Sequence, residues 1–232
     1  MRQTSDILLD LTDKIVVHPY GLPEMSNELK IILGGLMKFL VGAAMSFAAI
    51  QLYLYSGSHH LATESWIEIG QETCLLFSGL VFAYAAYRRP DLRGGLVLIM
   101  GFLFSLLIRE FDGYFDDIVH GFWKYILIVF LCGIAYAVVR AGRQTVLPGL
   151  AHFISSRSFL WMLAGTVIVL VYSRLYGMKS LWIFFSSGCE GWQKAKSFGE
   201  EATEFLGYVF IMLAGIQYLA ELAREAKARL TK

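Results

Sequence analysis

Apolar runs separated by short charged turns dominate this chain, and they predict six helical spans at approximately 31–56, 66–87, 92–113, 120–140, 157–177 and 202–222. The charges fall at regular depths. Arg88 lies sixteen positions from Glu72, Arg93 sixteen from Arg109, and Arg140 sixteen from Lys124. Arg157 lies seventeen from Arg174, and Glu221 seventeen from Glu204. At about 1.5 Å of rise per residue, each second charge stands roughly 24 Å from the first, inside a hydrocarbon layer about 30 Å thick. Charge at that depth is costly and faces a protein interior or a watery cavity. The pattern predicts one layer of buried charge near one end of an all-α integral membrane protein, a six-transmembrane-helix bundle.

Residues 5–17 form the first element of the chain that the pattern predicts. Ile7, Leu8, Leu11 and Ile15 line one face of an N-terminal amphipathic helix, which Thr4 or Ser5 caps. Residues 1–29 therefore read as a cytoplasmic segment with an interfacial helix, and residues 30–232 as a single transmembrane domain. Five acids and no long apolar core in those first residues exclude a cleavable signal. Phe77–Phe82 and Phe205–Phe210 echo one another, and Glu72 matches Glu200 upstream, which suggests three helical hairpins with the first and third related. The 181–185 stretch in the long loop 178–199 is too short to span and is expected in the interface or over the end of the bundle.

Composition agrees with this class: 56% of the 232 residues are hydrophobic and only 17% are charged. Net charge is +1 and carries little information, because the charges are segregated. The segment through Lys30, the 88–93 turn, the 140–158 loop and the tail after Glu221 hold thirteen of the twenty Lys and Arg residues. The positive-inside rule places both termini in the cytoplasm. Trp66, Trp123, Trp182 and Trp192 fit an outer interfacial belt and Trp161 an inner one. Three cysteines without CxxC spacing exclude a disulfide framework and act as apolar fillers.

The candidate chemistry lies on the predicted outer side. Glu64, Glu68 and Glu72, spaced by four, share one helix face. Glu200 and Glu204 repeat the device, with Glu201 beside them. Arg109, Glu110 and Asp112 end the third span, Asp116, Asp117, His120 and Lys124 lead into the fourth, and Arg174 ends the fifth. His59 and His60 sit in the first outer loop.

Three readings follow from these residues. In the first, Arg109, Lys124 and Arg174 pair with Glu72, Asp112 and Glu204 and lock the bundle as a structural assembly subunit. In the second, a surplus of carboxylates over bases makes an outward-facing site for a small cation, a proton or a proton-coupled solute, with Glu68, Glu72, Arg109, Glu110, Asp112, Lys124, Arg174, Glu200 and Glu204 as its residues. In the third, His120, Asp116, His59 and His60 hold a divalent metal that activates water against a lipid substrate. Its ingredients resemble membrane hydrolases of the alkaline ceramidase and adiponectin receptor type, from which the chain departs in having no HxxxH pair and six rather than seven spans. The second reading is the leading expectation.

The stretch Arg109-Glu110-Phe111-Asp112 with Lys124, together with Glu200-Glu201 and Glu204, resembles patterns in uncharacterised bacterial polytopic inner-membrane proteins. The resemblance covers two short stretches and implies a bacterial inner-membrane location and no activity. No P-loop, dinucleotide fingerprint, GxSxG or HExxH is present, and nothing indicates nucleic acid as a partner. The expected partners are the lipid bilayer and a small cation or proton, and a homo-oligomer is compatible with the chain.

Overall fold

The computed structural model describes residues 64–116, 118–186 and 192–230, together with isolated helical positions between 33 and 51. The amphipathic helix expected at 5–17, most of the span expected at 31–56, and His59, His60, Asp117 and Cys189 lie outside the described residues. Two compact units divide the chain, residues 1–41 and 42–232. The architecture below is that of the second.

Every regular element among the described residues is helical. They are α1 (Glu64–Arg88), α2 (Arg93–Glu110), the short α3 (Asp112–Asp116), α4 (Trp123–Ala141), α5 (Val146–Ile154), α6 (Ser158–Val167), α7 (Ser173–Gly177), α8 (Lys179–Ser186) and α9 (Trp192–Leu230). A 3₁₀ turn at Arg143–Thr145 precedes α5, and a π-helical turn at Ile168–Tyr172 joins α6 to α7. Four stretches are long and apolar enough to cross a membrane: Ile67–Arg88, Trp123–Arg140, Ser158–Gly177 and Trp192–Ala228. Helix α2 has the necessary 18 residues and is apolar between its ends, but it carries three charged side chains, Arg93, Arg109 and Glu110.

Adjacent helices pack as a row. α4 lies against α2, α2 against α1, α1 against α9, and α9 against α6 and α7. The core sits where the middle helices meet, on Leu75, Phe82, Leu96, Leu103, Tyr208 and Ile211, all essentially inaccessible. At the end of the row, α4 has only 6% of its apolar span buried. Tyr125, Val129 and Tyr136 stand on its open surface. Apolar side chains facing outward are what a hydrocarbon solvent permits.

Two glycine features fix this packing. Gly142 adopts φ +96°, a left-handed conformation that turns the chain out of α4. Thr145, just beyond, accepts a hydrogen bond from the Gly94 amide at 2.8 Å and so ties the turn to the start of α2. Gly165 and Gly207 face each other where α6 crosses α9. A β-carbon on Gly207 would stand 2.5 Å from Val169 Cγ2 and 2.9 Å from the Gly165 carbonyl oxygen. Small residues at such a crossing let two backbones approach closely.

Helix α9 is 39 residues long, about 58 Å at 1.5 Å per residue. It extends well beyond the expected span 202–222 at both ends. Its apolar middle spans Phe205–Ala220, and charged turns carry it past either end. The expected loop 178–199 is largely helical. Its apolar stretch forms α8, where Trp182 donates its indole N–H to the Tyr176 carbonyl at 2.6 Å.

Gly207→Val is expected to destabilise the protein by about 1–3 kcal/mol, as overpacking at a close contact does. Gly133→Ala, where an added β-carbon meets nothing within 4 Å, is expected to raise stability by up to about 1 kcal/mol, because alanine favours the helix interior. Thermal unfolding of both variants in mild detergent checks the contrast.

Candidate functional site

Helices α2, α7 and α9 bring their charged residues together at one end of the row. Glu204 on α9 is 5% exposed and is the centre of the group. Its carboxylate pairs with the Arg174 guanidinium of α7. The same oxygen, Oε1, accepts from Arg109 Nη2 of α2 at 3.4 Å and from the Ser173 hydroxyl at 3.2 Å. Arg109 also donates to Glu110 at 2.5 Å and to the Tyr208 hydroxyl at 3.3 Å. Tyr208 in turn donates to Glu110 at 2.6 Å. A charge inside a low-dielectric interior survives only with partners of this kind.

Local backbone geometry delivers these side chains. Glu200, Glu204 and Tyr208 are spaced by four on α9 and so share a face. The π turn at Ile168–Tyr172 inserts an extra residue just before Ser173 and Arg174. Continuing as a regular α-helix would rotate both residues by roughly 100° about the axis. Such π turns recur at functional positions. The Ser173 hydroxyl also donates back to the Val169 carbonyl at 2.5 Å, which steadies the exit from the turn.

Carboxylates extend around this centre. Glu200 faces Arg174 at 3.6 Å and Lys196 at 3.0 Å. Glu201 accepts from the amide of the buried Gln71 at 3.1 Å, and Glu68, Glu110 and Glu204 are its acidic neighbours. Glu72, half-buried on α1, has Glu68 and Glu110 as like-charged neighbours and no hydrogen bond or ion pair among the described residues. Among the described residues, six carboxylates, on Glu68, Glu72, Glu110, Glu200, Glu201 and Glu204, share the region with three cations, on Arg109, Arg174 and Lys196. Arg109 Nε is buried and meets no hydrogen-bond partner among the described residues.

The expected site residues divide accordingly. Arg109, Glu110, Arg174, Glu200 and Glu204 are directly linked, while Glu68 and Glu72 stand at the acidic margin. Lys124 is exposed, with its ammonium 5.8 Å from the Trp123 ring centroid. Asp112 is exposed at the start of α3. Neither forms the ion pair expected of it among the described residues. Ser173, Tyr208, Gln71 and Lys196 were not expected. Tyr208 was legible as the next fourth residue after Glu200 and Glu204. Gln71 had no comparable signal.

For a metal, His120 Nδ1 lies 2.9 Å from Asp116 Oδ2, and Asp116 Oδ1 accepts from the Gly121 amide at 2.7 Å. His120 is 95% exposed. Among the described residues, no three His, Cys, Asp or Glu side chains form a group suited to a metal. His59 and His60 lie outside those residues.

A second polar group occupies the opposite end of α1 and α9. Arg89 bonds Asp91 at 3.0 Å and Glu225 at 2.6 Å. Hydrogen bonding to Asp91, with Glu225 adding and burial opposing, holds the Arg89 guanidinium above its ordinary pKa. His152 bridges Glu225 at 3.1 Å and the Tyr218 hydroxyl at 3.2 Å. Ser158 and Gln217 both donate to Glu221. Topology alone accounted for the basic residues of the 88–93 turn, and that account missed the contacts of Arg89.

Glu204→Gln is expected to cost about 2 kcal/mol, because two guanidinium groups lose part of a charge-assisted partner. A double-mutant cycle with Arg109→Gln is expected to return a coupling of about 1 kcal/mol. By contrast, His120→Ala is expected to change stability by less than about 0.5 kcal/mol, since an exposed pair contributes little. Chemical or thermal unfolding of the purified variants measures all three. No protein-family model, curated protein or solved structure matches this chain.

Proposed function

We propose that the chain is a six-span inner-membrane protein that binds or transports a small cation or a proton-coupled solute through the acidic layer around Glu204. In this reading both termini are cytoplasmic, the six spans pair as three hairpins, and the site opens outward beneath the 178–199 loop. The observation that carries the reading is the presence, in one region of apolar helices, of Glu72 and Glu201 with no cation paired with them among the described residues. Glu204 and Glu110 are engaged by guanidinium groups, whereas Glu72 and Glu201 have no cation paired with them among the described residues. Carboxylates in that state attract a cation or retain a proton. The orphaned Arg109 Nε adds a donor for a solute oxygen or water.

A structural ion-pair core is the second reading, and the convergence of Arg109 and Arg174 on Glu204 favours it. Glu72 separates the two. Its carboxylate bonds no described partner, so its neutralisation leaves the Glu204 pairs intact.

Purified protein in liposomes loaded with a pH-sensitive dye is expected to pass protons or exchange them for sodium or potassium above the rate of empty vesicles. Glu72→Gln is expected to lower that flux at least tenfold while leaving the protein folded and its unfolding temperature unchanged. Flux equal to that of empty vesicles under proton, sodium and potassium gradients would overturn the transport reading.

A further inference from the structure

The end of the molecule opposite the acidic layer holds a groove between α1 and α9. Its volume is about 390 Å³. Leu219, Leu222, Ala223 and Ala226 of α9 form one wall, and Tyr84 with Arg88 and Arg89 form the other. The two alanines leave the space that larger side chains would fill. Arg89 is held by Asp91 and Glu225, so its guanidinium is fixed in place. Arg88 has no ion pair among the described residues and lies over the Tyr84 ring, 5.9 Å from its centroid.

We infer that this groove binds one anionic phospholipid, with the phosphate at Arg88 and an acyl chain along the apolar wall. The inference rests on the membrane reading of α1 and α9, and not on what the acidic layer carries. Three observations fix the occupant. The Arg88 guanidinium has no ion pair among the described residues, and its fork matches phosphate oxygens and binds them in pairs. The wall below is aliphatic, which suits a hydrocarbon chain and not a free inorganic anion. The groove also lies where the apolar stretches of both helices give way to charge, Tyr87 to Arg88 on one and Ala220 to Glu221 on the other. Basic clefts between spanning helices at that level recognise lipid headgroups.

Native mass spectrometry in mild detergent tests this with phosphatidylglycerol, phosphatidylethanolamine and inorganic phosphate as probes. The intact chain is expected to retain one phosphatidylglycerol in preference to phosphatidylethanolamine, and phosphate is not expected to displace it. Arg88→Gln, which removes the free guanidinium, and Ala223→Leu, which fills the groove, are each expected to lower retention at least fivefold. Arg143→Gln, an exposed arginine elsewhere, is expected to leave retention unchanged. Added phosphatidylglycerol is also expected to raise the unfolding temperature of the original chain but not of Arg88→Gln, since a ligand stabilises the state that binds it. Equal retention of the two lipids, displacement by phosphate, or unchanged retention in both groove variants would overturn the proposal.

Discussion

The buried carboxylate of Glu204 is the constraint on which the acidic end depends. An unpaired carboxylate in an apolar interior is so costly that the protein must supply cations or keep it protonated. Here two arginines from different helices supply them. Meeting that demand fixes three elements at once. α2 must end with Arg109 facing α9, α7 must present Arg174, and α9 must turn Glu204 inward. The π turn and the Gly165–Gly207 crossing are the backbone devices that make this alignment possible. One brings Ser173 and Arg174 round to the correct face. The other lets α6 and α9 lie close enough for short side chains such as Ser173 to reach across.

Around that paired centre, Glu72 on α1 and Glu201 on α9 have no cation paired with them among the described residues. A network meant only to lock helices together would tend toward matched charge, because each unmatched acid adds repulsion and desolvation. The arrangement therefore couples a rigid part, Arg109–Glu204–Arg174, to a part with spare acidity, Glu72 and Glu201. In the proposed function, the carboxylates that no described cation pairs are the ones that take up and release a small cation. The opposite end has a different character. Arg89, Glu225, His152 and Tyr218 bond one another closely, and a lipid groove adjoins them.

Much of this was legible in the residue pattern, for a physical reason. Burying charge in an apolar run is rare enough that its position carries information, so Arg109, Glu110, Arg174, Glu200 and Glu204 were identifiable from spacing alone. The helical class and the apolar stretches ending at Arg88, Arg140 and Gly177 followed from the same periodicity. Partner choice was less legible. Asp112 sits past the end of α2 and Lys124 in the first turn of α4, outside the group that α2, α7 and α9 form, and sequence proximity to Arg109 or His120 could not reveal that. The π turn left no signal in a run of β-branched and aliphatic residues, although it determines where Arg174 points. The Arg89–Glu225–His152 group was hidden for another reason. Basic residues beside apolar spans already have an explanation in topology, and that explanation is silent about contacts made between distant segments.

The most direct test is carbodiimide labelling of the purified protein, with peptide mapping by mass spectrometry at several pH values and with added sodium or potassium. A hydrophobic carbodiimide modifies carboxyl groups that hold a proton in an apolar setting. The account predicts modification at Glu72 or Glu201, lost as pH rises and suppressed by a cation that occupies the layer. Labelling absent from both residues at every pH, or unaffected by pH and cation alike, would contradict it.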